Sequence, residues 1–122
     1  MTTIHEIRKV DDFAEILKRN SGIVILKFGA SWCGPCKKIA QQVSRRMTGI
    51  MSLFPTKVIY CDLDIDESFE LYAFMKTKKM VNGIPAILCW ESGNVSLIPT
   101  TTVIGANEKE VSLFFDRCVS LV

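Results

Sequence analysis

The sequence predicts an α/β domain, a central mixed β-sheet flanked by helices on both faces. Three observations carry this reading. Apolar runs rich in β-favouring residues alternate with segments of helical apolar spacing. The run Ile23-Val24-Ile25-Leu26 is apolar without alternation, as a strand covered on both faces requires. The turn-forming string Glu91-Ser92-Gly93-Asn94 between two late runs makes an antiparallel hairpin. The chain has 122 residues, 48% apolar and 23% charged. That is enough for one core and composed like an ordinary folded protein, so a single domain over residues 1–122 is expected.

The elements follow in order. Ile4–Ile7 reads as a short strand. Asp11 or Asp12 can cap a helix running to about Arg19, with Phe13, Ile16 and Leu17 on one face, and Asn20-Ser21-Gly22 stops it. The strand from Ile23 continues through Lys27 and Phe28 to Gly29. A helix runs from about Cys33 toward Met51, with Pro35 in its first turn, where a missing N–H costs nothing. Pro55 separates it from a strand over Lys57–Asp62. Ser68 can cap a helix through Met75 that buries Leu71, Tyr72 and Met75. Ala86–Trp90 is a strand, and Val95–Ile104 returns as its hairpin partner. Asn107 caps a last helix with Val111, Phe114, Phe115 and Cys118 at helical spacing. The order is βαβαβαββα.

Charge and hydropathy exclude several classes of function. The net charge of +2 supplies no concentrated basic footprint, which argues against nucleic-acid or membrane-surface binding. No apolar run approaches the roughly 20 residues needed to span a bilayer. The first residues, Met1-Thr2-Thr3-Ile4-His5-Glu6, lack the basic flank and apolar stretch of a signal peptide. A cytoplasmic monomer is the expectation, and Asn94-Val95-Ser96 is then a chance glycosylation triplet.

The chemistry lies in Trp32-Cys33-Gly34-Pro35-Cys36-Lys37. Two cysteines three apart at a helix start, after a buried strand, have a physical consequence. Cys33 faces the free N–H groups and positive dipole end of the helix, which favour thiolate, the form that attacks disulfides. Cys36 lies one turn on and within bonding range. It is expected to be the less exposed of the two, giving an outer attacking sulfur and an inner resolving one. The competing reading is half of a zinc site. Zinc needs about four ligands, and no second pair exists: His5 is the single histidine, and Cys61, Cys89 and Cys118 stand alone. A CxxC beside a βαβ pattern points to redox work. No metal or organic cofactor is called for.

This segment resembles the active site of the thioredoxin family, whose usual string is WCGPCK; all six residues match, and the element order agrees with the thioredoxin fold. Gly83-Ile84-Pro85 stands where that family has its cis-proline segment, and Gly105 where it has a glycine close to the active site. By itself an Ile-Pro bond before a strand could be a rigid trans turn, since only about 5% of such bonds are cis; the resemblance implies cis. It further implies that Pro85 lies against the cysteines and that the backbone at Ile84 pairs with an extended substrate peptide by strand addition. Trp32, which could equally be a packing residue, would then rim an apolar contact patch with Ile84, Ala86, Gly105 and Ala106. Gly34, Gly105 and Ala106 would leave room for the substrate backbone. The implied activity is reduction of protein disulfides by dithiol exchange, with disulfide-containing proteins as substrates and a thioredoxin-reductase-type electron donor.

The sequence departs from that family at Lys27. An aspartate credited with moving the inner cysteine's proton usually stands there. Lys27 could simply extend its ammonium to solvent. If charged beneath the pair, it would favour thiolate and make the couple more oxidising; if desolvated, its amine could act as a base. It is therefore a candidate catalytic residue beside Cys33 and Cys36. It also motivates one rival function, an oxidase or isomerase poise; a second rival, independent of Lys27, is a non-catalytic subunit binding partners through the Trp32/Ile84/Ala106 patch. From Asp66 to Pro85 the chain is a few residues longer than is typical of the family, and the surplus, Met75–Val81, is basic, which fits a solvated helix end or, as the alternative, a recognition surface for an acidic partner. Cys61, Cys89 and Cys118 read as small core residues, with Cys118 the one candidate for dimerisation.

Overall fold

The computed structural model describes residues 3–122, so Met1 and Thr2 at the start of the N-terminal segment lie outside the described residues. Its elements are α1 (Val10–Lys18), β1 (Ile23–Gly29), α2 (Gly34–Leu53), β2 (Val58–Asp64), α3 (Phe69–Thr77), β3 (Ala86–Glu91), β4 (Thr101–Ile104) and α4 (Glu108–Leu121). The strands form one mixed sheet in the order β2-β1-β3-β4. β1 and β2 are parallel, with Lys27 opposite Asp62 and Gly29 opposite Asp64. β3 runs antiparallel to β1 and to β4.

The period of two along β1 divides its side chains between two cores. Val24, Leu26 and Phe28 meet Phe13, Ile16 and Leu17 of α1 and Leu71, Tyr72 and Met75 of α3. Ile23 and Ile25 meet Ile39, Val43, Met47 and Ile50 of α2 and Val111, Phe114, Phe115 and Cys118 of α4. Helices therefore cover both faces, and Lys27 is the one charged residue within the buried span of central β1. None of the helices is long and apolar enough to cross a membrane.

Four sequence expectations need correction. Ile4–Ile7 is not a strand: Ile4 alone bridges the edge of β2, accepting from Asp62 N at 2.8 Å and donating to Tyr60 O at 2.9 Å. The chain then leaves the sheet because the Ile7 N–H donates to the buried Ser68 Oγ at 3.1 Å. That bond also occupies Ser68, which stands at the start of α3 without capping it through its side chain. α1 begins after Lys9, two residues earlier than a cap at Asp11 would place it; Asp11 and Asp12 sit inside its first turn, where carboxylates suit the dipole. The return strand of the hairpin is only Thr101–Ile104. Residues 94–99 are held out of the ladder by local bonds: Ser96 N donates to Asn94 Oδ1, Ile98 N to Ser96 Oγ, and Trp90 Nε1 to Ser96 O. Asn107 caps α4 as expected, its Oδ1 accepting from Glu110 N at 3.0 Å.

Candidate active site

β1 ends at Gly29, and four residues later α2 begins with Cys33 as its N-cap and Pro35 in its first turn. Cys33 and Cys36 are joined as a disulfide, with their Cα atoms 5.3 Å apart. The Cys36 N–H donates to Cys33 Sγ at 3.2 Å. Cys33 thus takes the acceptor role that a serine or aspartate plays at other helix starts, and the sulfur sits at the positive end of a 20-residue helix. Both features favour negative charge on Cys33 over Cys36.

The expected difference in exposure between the two sulfurs is absent. Cys33 is 4% exposed and Cys36 is 6% exposed. The asymmetry therefore lies in the backbone N–H rather than in burial. Around them Ser31, Trp32, Gly34, Pro35 and Lys37 are exposed.

The Ile84-Pro85 peptide bond is cis. Gly105 N donates to Pro85 O at 2.8 Å, which fastens the end of β4 to the proline. Gly105 has φ of 98°, a left-handed conformation that suits glycine, and the space where a side chain would project is open. Pro85 is buried, and Ile84 and Ala106 are half-buried. Ala86 lies wholly in the core, paired with Phe28 and Ile104, so it offers no side-chain surface to a contact patch. Trp32 is 63% exposed. Its indole N–H donates to Asp66 Oδ2 at 2.9 Å, so it is anchored at the rim rather than packed in the core. Nothing in the sequence pattern singles out Asp66.

Lys27 keeps only a small exposed surface and is ion-paired. Its Nζ lies 3.1 Å from Asp62 Oδ1 on the neighbouring strand. Its side chain is mostly buried, at 15% exposure, against 37% for Asp62. A groove of about 310 Å³ beside the disulfide is lined by Lys27, Gly29, Cys36, Lys37, Ala40 and Asp64, among others. Asp62 also escaped sequence reading. The available signal was a pair of opposite charges, each set inside an apolar parallel strand.

The three remaining cysteines are fully buried. Burial pushes the Cys61 thiol up to about 12. A contact with Cys89, together with burial, pushes the Cys118 thiol far above its ordinary range. Cys118 has no surface to offer a second copy of the chain, which removes it as a dimerisation residue. Lys76, Lys78 and Lys79 are exposed at the end of α3, as a solvated helix terminus would be. Among the described residues, no cluster of three or more His, Cys, Asp or Glu is placed to hold a metal.

A family model described as Thioredoxin matches residues 4–114. A thioredoxin of Pseudomonas aeruginosa is 32% identical over 108 residues, covering 85% of this chain and 86% of that protein. One of Aspergillus fumigatus is 31% identical over 106 residues, covering 84% and 86%. Among solved structures, a Plasmodium falciparum thioredoxin superposes with a TM-score of 0.67 at 24% identity, over 93% of this chain and 98% of that one. A Trichomonas vaginalis thioredoxin gives 0.69 at 18% identity, over 93% and 96%.

Proposed function

Because the chain belongs to the thioredoxin family and is a dithiol thiol–disulfide oxidoreductase acting through Cys33 and Cys36, we propose a division of labour between the two sulfurs and a reducing role for the whole. Cys33 attacks a substrate disulfide, forming a mixed disulfide and releasing one substrate thiol. Cys36 then attacks Cys33, the second substrate thiol leaves, and two electrons have passed from the dithiol to the substrate. The observation that carries this order is the Cys36 N–H bonded to Cys33 Sγ at the start of α2.

Substrate proteins dock as extended segments along Ile84 and Pro85, with Trp32, Gly34, Pro35, Gly105 and Ala106 at the rim. The cis proline tied to Gly105 and the exposed indole support this reading. A reductase of the thioredoxin-reductase type restores the dithiol. The protein works as a monomeric single domain in the cytoplasm, a reducing compartment, which suits three thiols left free in its core. A reducing rather than oxidising poise is favoured by Asp62, whose charge opposes that of Lys27.

Reduction of insulin in the presence of dithiothreitol tests the reading. Wild type accelerates it and Cys33→Ser does not. Cys36→Ser accumulates substrates as mixed disulfides on Cys33. Reduction that survives Cys33→Ser removes the assignment, and a potential near those of strongly oxidising members of this fold removes the reducing poise.

A further inference from the structure

We infer that the first turn of α3, where exposed Phe69 stands among the carboxylates of Asp66, Glu67 and Glu70, extends the docking surface beyond Trp32 and selects substrate segments that carry an apolar residue beside a lysine or arginine near the reacting cysteine. The inference rests on the docking of extended substrates at Trp32 proposed above.

The end of β2 brings this turn to the disulfide. Asp64, the last residue of β2, lines the groove that contains Cys36, and Ile65 N donates to Gly29 O at 2.9 Å. The chain coils at once, because Glu67 N and Ser68 N both donate to Asp64 O, at 3.1 and 2.8 Å. Asp66, on this coil, accepts the Trp32 indole N–H at 2.9 Å. Phe69 opens α3 about one turn beyond Asp66. Asp66 is thus bonded to one large exposed aromatic and a turn away from another, Trp32 at 63% and Phe69 at 68% exposure.

The buried side of α3 is taken by Leu71, Tyr72 and Met75, which leaves Phe69 facing water. A single exposed aromatic is ordinary on a protein surface. Two beside a reactive disulfide make a patch that an apolar side chain would cover. The rim of that patch is acidic. Asp66, Glu67 and Glu70 are exposed, and among the described residues no lysine or arginine pairs with them. Lys37 shares its groove with Asp64 and offsets that carboxylate alone. Lys76, Lys78 and Lys79 lie at the far end of α3, about 10 Å from Glu70 at 1.5 Å per residue, where salt screens much of their effect.

The occupant follows from continuity and charge. A segment extended across Pro85, with its cysteine at Cys33, carries its flanking residues past Trp32 at about 3.3 Å each. An apolar residue there covers indole and phenyl surface. A lysine or arginine beside it is drawn to the three carboxylates and stacks on an aromatic face. An acidic segment meets like charge instead.

The test uses the full chain and four synthetic peptides, each closed by one disulfide and reduced with dithiothreitol as the terminal donor. They differ only in the residues flanking the cysteines on both sides: Leu-Arg, Leu-Glu, Ser-Arg or Ser-Glu. The readout is the ratio of kcat/KM between peptides within one protein, so a general change in activity cancels. Wild type prefers Leu-Arg to Leu-Glu by about fivefold, and Leu-Arg to Ser-Arg by about fivefold. Glu67→Gln with Glu70→Gln brings the first ratio close to one and leaves the second. Phe69→Ser lowers the second ratio. Raised salt weakens the first ratio in wild type, a reading that needs no variant. A wild-type ratio near one for either comparison, or ratios that survive these substitutions, overturns the inference. In that case Cys33-dependent reduction of all four peptides still stands. Failure of the proposed function is a different result, reduction that persists in Cys33→Ser.

Discussion

At the scale of single residues, small groups decide where the backbone can come close. Gly22 lies where β1 and β2 begin, and Ile23 N donates to Lys57 O at 2.8 Å. A Cβ at position 22 would collide with that carbonyl oxygen and lie 2.7 Å from the Lys57 Cβ. Gly22→Ala therefore lowers stability by about 1–3 kcal/mol, as overpacking does elsewhere, while the redox site is untouched. Urea denaturation reads the loss, and an unchanged midpoint would contradict the close approach. In sequence, Asn20-Ser21-Gly22 announces only the end of a helix. Its second duty, with Asn20 Nδ2 donating to Trp90 O and Asn20 Oδ1 accepting from Gly22 N, involves a strand 70 residues away. Lys27 has the same character. Its oddity in an apolar strand was legible; its partner Asp62 depends on the register of β1 with β2, which local pattern does not encode.

At the scale of elements, structure was legible where one residue type dictates one outcome. The paired cysteines with Pro35 marked the start of α2, the apolar run marked β1, and Asn107 marked the cap of α4. Legibility ended where a side chain had two possible bonds. Ser68 was expected to cap α3, but its hydroxyl oxygen accepts from Ile7 N instead. The same competition shortened β4, since Asn94 and Ser96 bond to nearby backbone in place of a ladder. Ser68→Ala accordingly leaves a buried N–H without a partner, at a cost of about 1–3 kcal/mol. The loss shows as faster amide exchange at Ile7 and in the segment around Ile4, with helix content in α3 retained. A melted α3 with an intact N-terminal segment would show that the serine serves the helix after all.

For the whole molecule, two cores share one sheet, and each contains groups that folding makes hold their protons to higher pH. Cys61 lies in the core covered by α1 and α3; Cys118 and Tyr60 lie in the other. All three are raised from ordinary values of 9.0 for the thiols and 10.0 for the phenol. Above about pH 9 the unfolded chain releases protons that the folded chain holds, so stability is complete below that pH and falls as pH rises. Each such group contributes a slope of about 1.4 kcal/mol per pH unit. Denaturation midpoints measured from about pH 7 to 11 check this, and a flat profile would contradict it. The sealed thiols have one more consequence. In reduced protein, a maleimide pulse adds to the two sulfurs at the start of α2, and further mass appears only as the interior opens. Cys61 times that opening on one side of the sheet, and Cys89 with Cys118 time it on the other, so the chain carries a stopwatch for each of its halves.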